Sequence, residues 1–157
     1  MLASHPTPPT FDRPEDRNAD ERLFVIMGDL NADPADDGDG IDGAARQVTA
    51  RPFVRDPLPA SEGAVEASAL QGRANETHAG NPAYDTADFS DSAPGNLRAD
   101  YVLPSRPLRV LDAGVFWPAQ RDPLSRLTGT YDPRYTNGFP SSDHRLVWVD
   151  VAVPGSR

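Results

Sequence analysis

The chain has 157 residues, one domain's worth, with 24 acidic residues against 15 basic ones and a net charge of −9. That balance disfavours a long nucleic-acid duplex as partner, because such binding normally rests on a basic footprint; an anionic ligand would need a cation and local arginines to hold it against the overall field. The absence of cysteine excludes a disulfide framework, a thiolate metal site and a cysteine nucleophile.

Every basic residue is arginine, and the charge is unevenly spread: 14 acids against 5 arginines from Asp29 to Asp100, then 5 acids against 7 arginines. Much of the acidity is accounted for by solvation of surface loops. Seventeen prolines and twelve glycines imply many loops, but the apolar runs argue against a wholly disordered chain. Met1 to Thr10 has too few apolar residues for a signal peptide, and no run of about 18 apolar residues offers a membrane-spanning segment. The chain as given reads as soluble, with its compartment unknown.

In chain order, Leu2 to Pro9 reads as the end of a strand carrying His5, followed by a proline-stiffened loop. A lone histidine there is either a solvent-exposed loop residue or a site residue. Phe11 to Leu23 is polar, charged and without an apolar face at helical spacing. Phe24-Val25-Ile26-Met27-Gly28 then forms a buried strand that delivers Asp29-Leu30-Asn31-Ala32-Asp33-Pro34 at its exit, the edge where α/β proteins favour ligands. If the backbone stays extended, Asp29 and Asn31 leave one face while Leu30 turns into the core. The competing reading is an Asx turn in which Asp29 or Asn31 bonds its own backbone.

Asp33 to Asp42 packs five acids into ten residues, but Ala35 breaks the ligand spacing of a calcium loop, so the stretch is expected to be a solvated turn. Ile41, Ala44, Ala45 and Val48 fall at i, i+3, i+4 and i+7 and predict an amphipathic helix of about three turns, with Asp39 or Asp42 as cap. A second helix is expected from Ser61 to Leu70, with Ser61 at the cap and Gly72 just past the end. Gly72 to Asn96 lacks regular periodicity; Thr77, His78, Tyr84, Asp85 and Asp88 are candidates for ligand contact, against the reading of a plain surface loop.

In Leu97 to Leu103 the alternation sets Arg98, Asp100 and Val102 on one face and Ala99, Tyr101 and Leu103 on the other. A carboxylate inside a strand needs a partner, and either Arg98 or His144 could serve Asp100. Leu108 to Trp117 is a further strand, assigned to core packing. Gly138 and Pro140 turn the chain into Ser141-Ser142-Asp143-His144, ahead of a last strand from Arg145 to Val153.

Three short motifs in this order, Gly-Asp-Leu-Asn at 28–31, Arg-x-Asp-Tyr-Val-Leu at 98–103 and Ser-Asp-His at 142–144, resemble the endonuclease/exonuclease/phosphatase superfamily of metal-dependent phosphoesterases. The resemblance implies an α/β fold, a four-layer sandwich of mixed, largely antiparallel sheets with helices outside. It implies a hydrolase that uses Mg²⁺ or Mn²⁺ on a phosphoester substrate, whether a small molecule or nucleic acid. Asp143, Asp29 and Asn31 are then the metal residues, and Asp29 orients or deprotonates the attacking water. Asn31 holds the phosphate, and His144 bonds a phosphoryl oxygen or transfers a proton while Asp100 fixes its ring. His5 matches a histidine that contacts the scissile phosphate or protonates the leaving group.

The superfamily also carries an early asparagine and a metal-binding glutamate, and a helix between the strands that end at His5 and Asp29. Neither residue precedes His5 here, so the sequence reads as one N-terminally truncated domain over 1–157, with weak metal affinity and little or no turnover alone. Two outcomes stay open: a partial or complete hydrolase, or a catalytically dead remnant acting as a binding module. A sheet that lacks its covering partner would expose an apolar face and favour self-association. Nothing in the sequence separates nuclease, phosphatase and phospholipase substrates.

Overall fold

The computed structural model describes residues 22–36, 43–129, 134 and 142–154. His5, most of the polar stretch before the first described strand, the acidic run 37–42 with its expected cap residues Asp39 and Asp42, and the turn through Gly138, Pro140 and Ser141 lie outside these residues.

The architecture is α/β, with two antiparallel strand pairs, each packed with a helix. The first pair is β1 (Val25–Asp29) with β2 (Asp100–Pro104), in a register that sets Ile26 opposite Leu103 and Asp29 opposite Asp100. Tyr101 and Leu103 point inward, as the alternation predicts, into a core with Ala32, Ala45 and Val54; Phe24, Ile26, Leu30, Val48 and Phe53 pack around it. Ala45 and Val48 belong to the short helix α1 (Arg46–Thr49) and its leading turn. This is the apolar face expected of the helix over 41–48, but only one helical turn of it forms among the described residues.

The second pair is β3 (Arg109–Phe116) with β4 (Leu146–Ala152), slipped by a bulge between Val110 and Asp112. Val115 and Trp117 pack with Ala64 and Ala67 of helix α2 (Glu62–Gln71). The end signals of α2 are as the sequence predicts: Ser61 accepts from the Ala64 amide at 3.2 Å, and Gly72 closes the helix at φ 63°. A left-handed φ of that kind costs glycine nothing.

The two strand pairs meet through residue 87. Ala87 bridges both Leu97, just before β2, and His144, just before β4. The Asp88 amide donates to Asp143 O at 2.8 Å, and the Arg145 amide donates to Thr86 O at 2.8 Å. The segment 72–96 is therefore no plain surface loop. It forms two 3₁₀ turns (Arg73–Thr77 and Pro82–Tyr84), and Asn75, Asp85, Thr86, Ala87 and Asn96 are buried.

Two further expectations change. β1 is not a buried strand, since Met27 is 69% exposed and Val25 is exposed beside it. Among the described residues β1 pairs with β2 alone, so its other edge carries no strand. Asp33 is not in a solvated turn either; it is buried, with Oδ1 accepting from the Ala35 amide and Oδ2 from the Arg98 amide, 65 residues on. No described helix is long and apolar enough to cross a membrane.

Candidate active site

The β1–β2 register decides the site. Residues directly opposite on an antiparallel pair project to the same side, so Asp29 and Asp100 are brought face to face at the end of the pair. Two carboxylates so placed repel each other, and the arrangement calls for a cation or a donor between them. His144 supplies one answer: its Nδ1 lies 2.8 Å from Asp100 Oδ2. One ligand atom from each of Asp29, Asp100 and His144 lies within 4.8 Å of the other two. Of the two partners open to Asp100, the structure chooses His144. Arg98 instead grips Asp56 with both guanidinium nitrogens, at 2.8 and 2.5 Å, and stacks its guanidinium 4.4 Å from the centre of the Tyr101 ring.

A carboxylate can only accept, so Nδ1 of His144 donates to Asp100. Partial burial works against the charged imidazole, but the Asp100 hydrogen bond and the charges of Asp100, Asp29 and Asp143 outweigh it and hold the pKa above the ordinary histidine value. Phe89 meets the ring edge to face at 5.4 Å. The Ser142 hydroxyl accepts from the His144 amide at 3.0 Å, fixing the loop that carries the ring.

Thr86 was not among the residues the sequence singled out. Its hydroxyl donates to Asp100 Oδ2 at 2.9 Å and accepts from the amides of Ala99 and Asp100 at 3.0 and 2.9 Å. Asp100 is thereby held from two sides, by a neutral hydroxyl and by an imidazole. The available signal was a β-branched residue before Ala87 in an otherwise aperiodic stretch, too short to read as a strand. Asp88 and Arg145 sit just behind. Arg145 Nη2 pairs with Asp88 Oδ2 at 3.0 Å, Nη1 donates to Ser142 O at 2.6 Å, and the guanidinium stacks 4.6 Å from the centre of the Trp117 ring. Gln71, at the end of α2, donates to Asp88 Oδ1 at 2.5 Å. Asp88 therefore anchors the 142–145 loop onto α2.

Asn31 departs from the extended geometry. β1 ends at Asp29, Asn31 adopts φ 48°, and its amide donates to Asp29 Oδ1 at 2.7 Å. This is the Asx turn the sequence left open, and asparagine is among the few residues that accept a left-handed φ at low cost. The turn is pinned by the Tyr101 hydroxyl, whose single proton is shared between Ala32 O at 2.7 Å and Arg98 O at 2.8 Å. Asp143 is partly buried beside His144, and its charge acts on both His144 and Arg145.

These residues suit a hard divalent cation. The grouped donors are the carboxylates of Asp29 and Asp100 and the imidazole of His144, without Asn31 or Asp143, and the opposed Asp29 and Asp100 carry a repulsion that a cation relieves. A family model described as the Endonuclease/Exonuclease/phosphatase family matches residues 4–144. No curated protein and no solved structure matches the chain.

Proposed function

This chain belongs to the endonuclease/exonuclease/phosphatase family, and from that premise we propose that it is a divalent-metal-dependent phosphoester hydrolase, working as one domain. The observation that carries this reading is the meeting of Asp29, Asp100 and His144, drawn from three separate strand ends.

Asp29 orients the attacking water and takes its proton. Asn31 holds a phosphoryl oxygen through its side-chain amide. His144 presents Nε2 to the phosphoryl group, and its raised pKa suits it to donate a hydrogen bond or a proton there. Asp100 fixes the ring tautomer, and Thr86 fixes Asp100. His5 serves the leaving group in the same reading. Asp143, Asp29 and Asn31 would hold Mg²⁺, or Mn²⁺ in its place, which when bound would neutralise charge on the phosphoryl oxygens. Mg²⁺ is commonly bound through only one or two carboxylates plus substrate phosphate, so this set suffices for binding, at weak affinity and with slow turnover. The acidic surface favours a small phosphodiester or phosphomonoester over long nucleic acid. The outward face of β1, with Val25 and Met27 exposed, offers a surface on which a second copy can pair.

The test is a Mg²⁺ titration with a generic phosphodiester, comparing the chain with Asp29→Ala. Slow, Mg²⁺-dependent turnover that the substitution abolishes is expected. Turnover indifferent to the substitution overturns the reading. Phosphate binding with no turnover under Mg²⁺ or Mn²⁺ would make the chain a binding module instead.

A further inference from the structure

Away from the Asp29 cluster, three carboxylates surround one imidazole. His78 Nε2 lies 2.9 Å from Asp36 Oδ2 and 3.9 Å from Asp85 Oδ1. One ligand atom from each of Asp33, His78 and Asp85 lies within 4.8 Å of the others. The groups are out of water: the side chains of His78 and Asp85 are each 2% exposed, and that of Asp36 is 12% exposed.

The hydrogen bonds there are incomplete. Asp33 and Asp36 are tied to backbone, Asp36 taking the Ala79 and Gly80 amides at 2.8 and 3.0 Å. Yet Nδ1 of His78 and Oδ2 of Asp85 are buried with no hydrogen-bond partner, and Nε2 of His78, although 2.9 Å from Asp36 Oδ2, makes no aligned hydrogen bond to it. A buried polar atom left unpaired typically costs about 1–3 kcal/mol, and two such atoms in one spot call for an explanation. Charge makes the same point. Burial first, and then the negative charges of Asp33 and Asp36, hold the Asp85 carboxyl well above the ordinary carboxylate range, so the cluster resists a further negative charge unless a cation accompanies it.

We propose that Asp33, Asp36, His78 and Asp85 form a second, structural site for a divalent transition-metal ion, with Zn²⁺ best matched to the mixed imidazole and carboxylate donors. A single cation there gives the orphaned nitrogen and the orphaned carboxylate oxygen a partner and offsets the negative charge. The chain also closes tightly over the cluster: a Cβ on Gly80 would stand 2.9 Å from Asp36 Oδ2 and 3.4 Å from His78 Cε1. The ion clamps two arms of the catalytic cluster from behind. Asp33 is two residues beyond Asn31, and Asp85 immediately precedes Thr86, which holds Asp100.

The experiment titrates the chelator-stripped full chain with Zn²⁺ while following the imidazole ¹⁵N resonances, a readable set because the chain has 3 histidines. The first equivalent is expected to move His78 and leave His144 in place, with saturation at one ion. Asp85→Asn should weaken this binding at least about tenfold, and Asp29→Asn should leave it unchanged. If the first equivalent moves His144 and not His78, or if His78 does not respond to excess metal, the site does not exist. The wild-type spectrum decides the matter even if Asp85→Asn fails to fold, and it does so whether or not the chain hydrolyses phosphoesters.

Discussion

At the scale of single residues, the His144–Asp100 pair makes the sharpest claim, because the raised pKa of the ring is the sum of opposed effects. Burial disfavours the imidazolium; the Asp100 hydrogen bond and the surrounding carboxylates more than restore it. Asp100→Asn keeps the shape of the side chain and removes the charge, so the titration midpoint of His144, followed by NMR, is expected to fall. A histidine whose folded pKa lies above its unfolded value adds stability fully present below the unfolded value of about 6.5, and loses it as pH rises through the folded one. The pH dependence of stability above about 6.5 should therefore flatten in the variant. An unchanged midpoint would mean that Asp100 does not govern the ring.

At the scale of elements, α2 shows how sequence signals and packing can pull in opposite directions. Gly63 lies in its first turn, where replacement by alanine should gain up to about 1 kcal/mol of helix propensity. The added Cβ, however, would sit 2.1 Å from Trp117 O and 2.8 Å from Pro118 C, both backbone atoms that cannot swing aside. The helix lies against that strand end closely enough for the Gly63 amide to donate to Trp117 O at 3.1 Å. Overpacking of this kind costs about 1–3 kcal/mol, so Gly63→Ala is expected to lower the urea midpoint of the chain despite the better helix former. A higher midpoint would show that the contact is loose. The ends of α2 were legible because capping is local, written in Ser61 and Gly72 themselves. The reason for Gly63 was not, since its partner is 54 residues away.

The same division holds for the whole molecule. Asp29, Asp100 and His144 could be read in advance because each sits in one of the three short motifs that carry the family resemblance, at 28–31, 98–103 and 142–144. Thr86 and the meeting of Asp33, His78 and Asp85 could not, because they lie in irregular positions beside turns and 3₁₀ segments, with contacts that span 14 to 65 residues without periodicity. What composition does fix is the field an anionic substrate meets. With a net charge of −9, approach to the site is opposed: a unit charge about 10 Å away across water costs about 0.4 kcal/mol, roughly a factor of two in binding. Screening shortens from about 30 Å at 0.01 M salt to about 8 Å at 0.15 M. Raising salt over that range at fixed Mg²⁺ is therefore expected to lower KM for a small anionic phosphodiester about twofold and leave kcat unchanged. A basic nuclease would show the reverse, because salt releases its substrate. A KM that climbs with salt would mean that local arginines around the site outweigh the charge of the chain, and would return long nucleic acid to the list of substrates.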